Sequence, residues 1–136
     1  MPNSKPTQRA RILLVDDEPS IRAVYPEVLG VDYDVSVAAT GREALAILSE
    51  RADFDVIVCD LTMPDVDGPA FYDALRSRGY QLLDRVIFCS GGLVTARLRE
   101  FAASIPNIFL EKPIAVETLV AAMDSVVRGA RGAAAS

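Results

Sequence analysis

Four places in this chain carry residue types able to do chemistry together: Asp16-Asp17, Asp60, Ser90 and Lys112. Each stands at or just beyond a short apolar run: Ile12–Val15, Val56–Cys59, Val86–Cys89 and Ile108–Leu110. If those runs are strands of one sheet, three carboxylates, a hydroxyl and an ammonium meet at a common edge. At an effective dielectric near 20, two carboxylates about 5 Å apart repel by roughly 3 kcal/mol, so such a cluster requires cations. Hard carboxylate oxygens suit Mg²⁺, which keeps several waters and takes one or two carboxylates plus a phosphoryl oxygen. Lys112 adds a second positive charge. Phosphoryl transfer asks for in-line positioning and charge neutralisation more than covalent help, and a carboxylate nucleophile ringed by these groups meets that need.

Singly, each residue has an ordinary explanation. Asp16 or Asp17 caps a following helix, Asp60 and Ser90 sit in turn sequences, and Lys112 is a solvated lysine. Their shared position at successive strand ends is what favours the chemical reading over four coincidences.

The elements that must position them are legible from periodicity. Ile12–Val15, Val35–Val37, Val56–Cys59, Val86–Cys89 and Ile108–Leu110 are expected to be strands. Between and after them run five stripes of helical spacing. These are Ile21/Val24/Tyr25/Val28/Leu29, Ala44/Ile47/Leu48, Phe71/Ala74/Leu75, Leu98/Phe101/Ala102/Ile105 and Val116/Leu119/Val120/Met123/Val127. Thr40 to Glu43 spells a capping box, Gly30 suits the end of the first helix, and Pro69 suits a first turn. Pro26 conflicts with the first stripe and is expected to kink or shorten that helix. The order (βα)₅ implies an α/β three-layer, doubly wound sandwich: a five-stranded parallel sheet with helices on both faces. In such sheets the ligand crevice lies beyond the carboxyl ends of the strands. Strand order 2-1-3-4-5 would make strands one and three neighbours, about 4.8 Å apart.

Composition sets limits. The 136 residues, 51% of them apolar, suit one domain, expected over residues 11–128, with disordered tails at 1–10 and 129–136. A net charge of -5 argues against nucleic acid as a partner. No apolar run is long enough to span a bilayer and the amino end lacks the core of a secretory signal, so no membrane partner and a cytoplasmic location are expected. The chain contains no histidine, which removes histidine triads, His-ligated zinc and a phosphohistidine of its own. Cys59 and Cys89 match no metal spacing; they are expected to lie side by side as two buried apolar residues on the sheet face opposite Asp60 and Ser90.

Across 11–128 the sequence resembles the receiver domain of response regulators, with its flavodoxin-like (CheY-like) fold. The resemblance rests on Ile-Leu-Leu-Val-Asp16-Asp17-Glu18, Asp60-Leu-Thr-Met-Pro64-Asp-Val-Asp-Gly68, Ser90 and Lys112-Pro113. It implies that Asp60 is the phosphoacceptor. It further implies that Mg²⁺, with Mn²⁺ as a substitute, is held by Asp17, Asp60, the Thr62 carbonyl and, through water, Asp16. Ser90 and Lys112 resemble the groups that contact the phosphoryl group, and Lys112-Pro113 resembles a cis peptide. Ser90 and Phe109 occupy the positions of a switch pair, with phenylalanine where tyrosine is commoner, so that Phe109 reads equally as a core aromatic; the output face would be the fourth helix, fifth strand and fifth helix. The phosphodonor would be a sensor histidine kinase or a histidine phosphotransfer protein, and the output partner is unspecified. The segment from Val86 to Pro113 is similar to receivers at the carboxyl ends of hybrid sensor histidine kinases, so the chain reads either as such a domain excised or as a stand-alone regulator. With no output domain after residue 128, signalling is expected to pass through a partner protein. On this reading the domain catalyses only its own phosphotransfer and dephosphorylation and is not otherwise an enzyme.

Two rivals make different demands. A haloacid-dehalogenase-type phosphatase wants Asp-x-Asp at its nucleophile, whereas the residue two after Asp60 is Thr62. A phosphorylation-independent adaptor with a receiver fold would be indifferent to Asp60→Asn.

Overall fold

A computed structural model describes residues 9–78, 81–93 and 95–135, with side chains placed except at 81 and 131–135. Five strands alternate with five helices: β1 Ala10–Val15, α1 Pro19–Leu29, β2 Tyr33–Ala38, α2 Gly41–Glu50, β3 Val56–Asp60, α3 Gly68–Ser77, β4 Val86–Ser90, α4 Ala96–Ser104, β5 Phe109–Glu111 and α5 Val116–Ala135. A 3₁₀ segment, Gln81–Arg85, leads into β4. All strand pairs are parallel, in the order β2-β1-β3-β4-β5. The expected (βα)₅ fold and strand order are therefore those observed.

The central strands β3 and β4 are buried along their whole length, which is why they read as continuous apolar runs rather than as alternation. Two cores flank the sheet. On one side α2, α3 and α4 pack Leu48, Phe71, Leu75 and Leu98 against Leu13, Ile57, Cys59 and Phe88. On the other α1 and α5 pack Leu29, Leu119 and Met123 against Ile12, Val58, Ile87 and Cys89.

Local signals explain most helix starts. Thr40 accepts from the Glu43 amide at 3.0 Å, the first half of the capping box, while the Glu43 carboxylate accepts the amide of Ala39, one residue before the N-cap. Asp67 caps α3 and Thr95 caps α4. Pro69 lies in the first turn of α3, where a missing amide hydrogen costs nothing.

Several expectations need correction. Pro26 does not shorten α1, which continues to Leu29; the proline removes the one bond that its own amide would have made, and the Gly30 amide still reaches the Pro26 carbonyl at 2.8 Å. Val24 and Val28 belong to the stripe assigned to α1, yet each is about half exposed, so only Ile21, Tyr25 and Leu29 face the core. The first domain boundary is early: Ala10 is buried and pairs with Tyr33, and the rest of the predicted amino-terminal tail, residues 1–8, lies outside the described residues apart from Arg9. The tail predicted from 129 is helical through Ala135. Glycine costs a helix about 1 kcal/mol relative to alanine, but alanine is the best helix former and no proline interrupts this stretch. Among the described residues no helix is long and apolar enough to cross a membrane.

Candidate functional site

The carboxyl ends of β1 and β3 bring the acidic residues together. Asp16 and Asp17 follow β1 directly and Asp60 ends β3, and the two strands are paired with Val15 opposite Cys59. Each of Asp16, Asp17 and Asp60 offers a carboxylate oxygen within 4.8 Å of those of the other two. Asp16 and Asp60 are buried, while Asp17 is exposed.

Lys112, from the segment after β5, answers this charge. Its ammonium lies 3.1 Å from Oδ2 of Asp16 and 3.4 Å from Oδ2 of Asp60. The peptide between Lys112 and Pro113 is cis, and the Lys112 amide donates to the Ser90 carbonyl at 2.7 Å. Burial alone would lower the lysine's pKa, but the hydrogen bond it donates to Asp16 and the charges of both aspartates outweigh it and raise it above the ordinary value. Asp60 is pushed above the usual carboxylate range, chiefly by burial, against the opposing pull of Lys112 and of the Thr62 amide. An aspartate with its ionised form so poorly solvated is poised to gain from an added cation.

The remaining oxygens are partly spoken for. Oδ1 of Asp16 accepts the Glu18 amide at 2.9 Å, and Oδ1 of Asp60 accepts the Thr62 amide at 3.3 Å. Neither Asp16 nor Asp17 is the side-chain cap of α1: its N-cap is Glu18, whose side chain makes no capping bond to the helix amides, and Pro19 begins the helix. The ordinary explanation weighed for the first acidic pair is thereby set aside.

Ser90 ends β4 and is buried. Its hydroxyl donates to the Gly92 carbonyl at 2.8 Å and accepts the Gly92 amide at 2.9 Å. Gly92 has φ of 149°, a conformation that side-chain-bearing residues rarely adopt. Phe109 stacks on Phe88 with ring centroids 5.4 Å apart and meets Phe101 edge-on. Together with Ser90, Gly92, Leu93, Leu110 and Glu111 it lines a cavity of about 360 Å³.

The two cysteines do not lie side by side. Cys59 pairs with Phe88, and it is Cys89 that pairs with Asp60. Cys59 therefore packs in the α2–α3–α4 core and Cys89 in the α1–α5 core, on opposite faces of the sheet. Counting back one residue from each strand end assumed that Asp60 and Ser90 were in register, and the sheet is offset by one. Burial raises both thiols, Cys89 to about 12, so neither is a thiolate at neutral pH.

That offset also reveals neighbours of the site that residue type alone did not suggest. Cys89, Tyr25, Ile21 and Ile114 line a second cavity of about 360 Å³ shared with Asp16, Asp60 and Lys112. Only the α1 stripe hinted at Tyr25, and nothing local marks Cys89.

The three-carboxylate pocket with its lysine fits a hard divalent ion: the donors are oxygen, their count is small, and two are buried beside a single ammonium. Comparison with known proteins agrees with the fold. Residues 12–124 match the family model described as response regulator receiver domain. The chain is 36% identical over 112 residues to the sensor kinase CckA of Brucella abortus, covering 81% of this chain and 12% of that protein. It is 35% identical over 120 residues to the response regulator MprA of Mycolicibacterium vanbaalenii, covering 87% of this chain and 50% of that one. The chain thus spans half or less of these two relatives. Among solved structures, chemotaxis protein CheY4 of Vibrio cholerae superposes with a TM-score of 0.73 at 32% identity, covering 86% of this chain and 98% of that one.

Proposed function

We propose that this chain, which belongs to the response regulator receiver domain family, accepts a phosphoryl group on the carboxylate of Asp60. One observation carries the reading: three aspartate carboxylates from two strand ends share a pocket with one lysine ammonium, which touches two of them. These 136 residues contain no histidine, so a phosphohistidine donor lies outside them, in a sensor histidine kinase or a histidine phosphotransfer protein. In the transfer an Asp60 oxygen forms a bond to phosphorus, the bond from phosphorus to the imidazole nitrogen breaks, and the partner's imidazole leaves with the electron pair. Water later attacks the same phosphorus and returns Asp60 as a carboxylate with inorganic phosphate.

Asp17, Asp60 and the Thr62 carbonyl would hold Mg²⁺, with Asp16 acting through water. The ion supplies neutralisation of the charge that collects on the phosphoryl oxygens. Lys112 keeps its ammonium beside Asp60 and is placed to pair with a phosphoryl oxygen once one arrives. Ser90, now bonded to Gly92, is one residue beyond the partner of Asp60 in β4, and its hydroxyl would turn toward the new acceptor oxygens. That movement would open space for Phe109, relaying the event to α4, β5 and α5. The name of the Brucella relative, a sensor kinase of which the matched stretch is 12%, supports a setting within a longer signalling protein.

Intact-mass measurement after incubation with acetyl phosphate and Mg²⁺ tests this directly. The wild type should gain one phosphoryl mass, and Asp60→Asn should gain none. An equal gain in both, or no gain in either, overturns the reading.

A further inference from the structure

The loop from β3 to α3, residues 61–67, carries Thr62 beside Asp60. Its two ends are closed on each other, since the Gly68 amide donates to the Leu61 carbonyl at 2.8 Å. Asp67 caps α3 and pairs with Arg97 of α4. The middle of the loop is tied elsewhere. Oδ2 of Asp65 accepts the backbone amide of Arg42, in the first turn of α2, at 3.1 Å.

The first amides of a helix have no partner within the helix and need acceptors from outside. In α2 they are divided: Glu43 is served by Thr40, the helix's own cap, and Arg42 by a carboxylate from a loop 23 positions away. A negative group at a helix N-terminus is further favoured by the helix dipole. The loop also approaches α2 very closely. A Cβ on Gly41 would lie 2.7 Å from the Val66 carbonyl oxygen and 2.8 Å from the Val66 Cβ, so glycine is what admits the contact. The Asp65 carboxyl itself is held below the ordinary aspartate range: slight burial opposes this, but the amides of Val66, Arg42, Asp65 and Gly41 outweigh it.

We propose that Asp65 is a positioning residue, which by capping α2 from the β3–α3 loop holds Thr62 against Asp60 and so sets how well the acidic pocket takes a divalent cation. The positioning stands on geometry alone, and only its consequence for the cation rests on the phosphoryl-acceptor reading. Between its pinned ends at Leu61 and Gly68 the loop is anchored in the core by Met63 and Val66, and the bond from α2 to Asp65 adds a polar tether that further restricts movement of Thr62 away from the pocket.

The test uses the whole chain without metal first. Amide hydrogen exchange is measured at Thr62 and Arg42 in wild type, Asp65→Ala, Asp65→Asn and Thr40→Ala. Asp65→Ala should speed exchange at both sites by about tenfold or more, as expected when a local opening becomes easier. Asp65→Asn keeps an acceptor oxygen and should stay near wild type. Thr40→Ala weakens the same helix end but leaves the tether, and should leave Thr62 unchanged. In a second step MgCl₂ is titrated while thermal unfolding is followed. Asp65→Ala should raise the half-saturating Mg²⁺ concentration by about tenfold, the lower range for contacts that orient metal ligands. Unchanged exchange at Thr62 in Asp65→Ala, or an equal change in Thr40→Ala, overturns the proposal. Faster exchange in a protein whose wild type ignores Mg²⁺ upholds the positioning and overturns the functional reading together with its cation clause.

Discussion

Lys112 donates a hydrogen bond to Oδ2 of Asp16 at 3.1 Å across 96 positions of sequence, and its ammonium is the closest cation to Asp60 among the described residues. The pair ties the segment after β5 to the end of β1 and neutralises part of a buried acidic cluster. Lys112→Met keeps most of the side-chain volume and removes the charge. It should cost about 2 kcal/mol at pH 7, the range for hydrogen bonds to charged groups left without a partner. Because the folded-state pKa of Lys112 is raised, its contribution is complete below the unfolded value near 10.4 and fades only as pH rises through the higher folded value. Urea unfolding of wild type and variant at pH 7 measures this, and identical midpoints would dismiss the role.

Asp60 has the opposite consequence for stability. Its folded-state pKa is also raised, mainly by burial, so the fold prefers the protonated acid. The contribution is present below the unfolded value near pH 4 and is lost as pH rises through the folded value. Asp60→Asn should therefore stabilise the protein at neutral pH by about 1 kcal/mol, or roughly 3 to 5 °C in Tm. The gain should vanish below pH 4. Calorimetry at pH 7 and pH 3.5 checks both halves, and a Tm lowered by the substitution at pH 7 contradicts the assignment.

Binding of a divalent cation to the acidic pocket should register as stabilisation. At ten times its dissociation constant Mg²⁺ adds about 1.4 kcal/mol, and EDTA should reverse the shift. Asp17→Asn should abolish most of the response without lowering the metal-free Tm, because it removes one of three neighbouring negative charges at an exposed position. A full Mg²⁺ response in Asp17→Asn would remove Asp17 from the ligand set.

Cys59 and Cys89 sit in different cores and cannot form a disulfide with each other without reorganising the sheet. An oxidant such as diamide should leave the folded protein with two free thiols. Alkylation by iodoacetamide should be at least about a hundredfold slower in the folded than in the unfolded protein, since both thiols are buried and protonated. Recovery of an intramolecular Cys59–Cys89 peptide by mass spectrometry is the contrary outcome.

Thr62 is exposed beside Asp60, and a small side chain there leaves water a path to the phosphorus of an aspartyl phosphate. Thr62→Tyr should lengthen the life of the phosphorylated form by about threefold or more, roughly 0.7 kcal/mol in barrier. Decay of the added mass after removal of the phosphodonor gives the rate. Gly92 is the poorer site for such a test, because its backbone conformation strains any other residue.

The parts of the molecule governed by near neighbours in the chain could be read without coordinates. Strand cores reveal themselves as buried apolar runs, the box from Thr40 to Glu43 is a contact within one turn, and carboxylates at the ends of β1 and β3 must share a crevice once the sheet is parallel and doubly wound. What depends on how one element meets another could not be read. Strand register moves in steps that turn every side chain to the other face, and apolar residues on both faces of β3 and β4 give no hint of the step. For that reason Cys89, and not Cys59, shares the sheet face of Asp60. The exposure of Val24 and Val28 reflects how α1 lies against its core, and the capping of α2 by Asp65 joins groups whose residue types are ordinary in any loop. Chain order determined which chemistry was available; packing of the sheet and helices decided which atoms stand close enough to perform it.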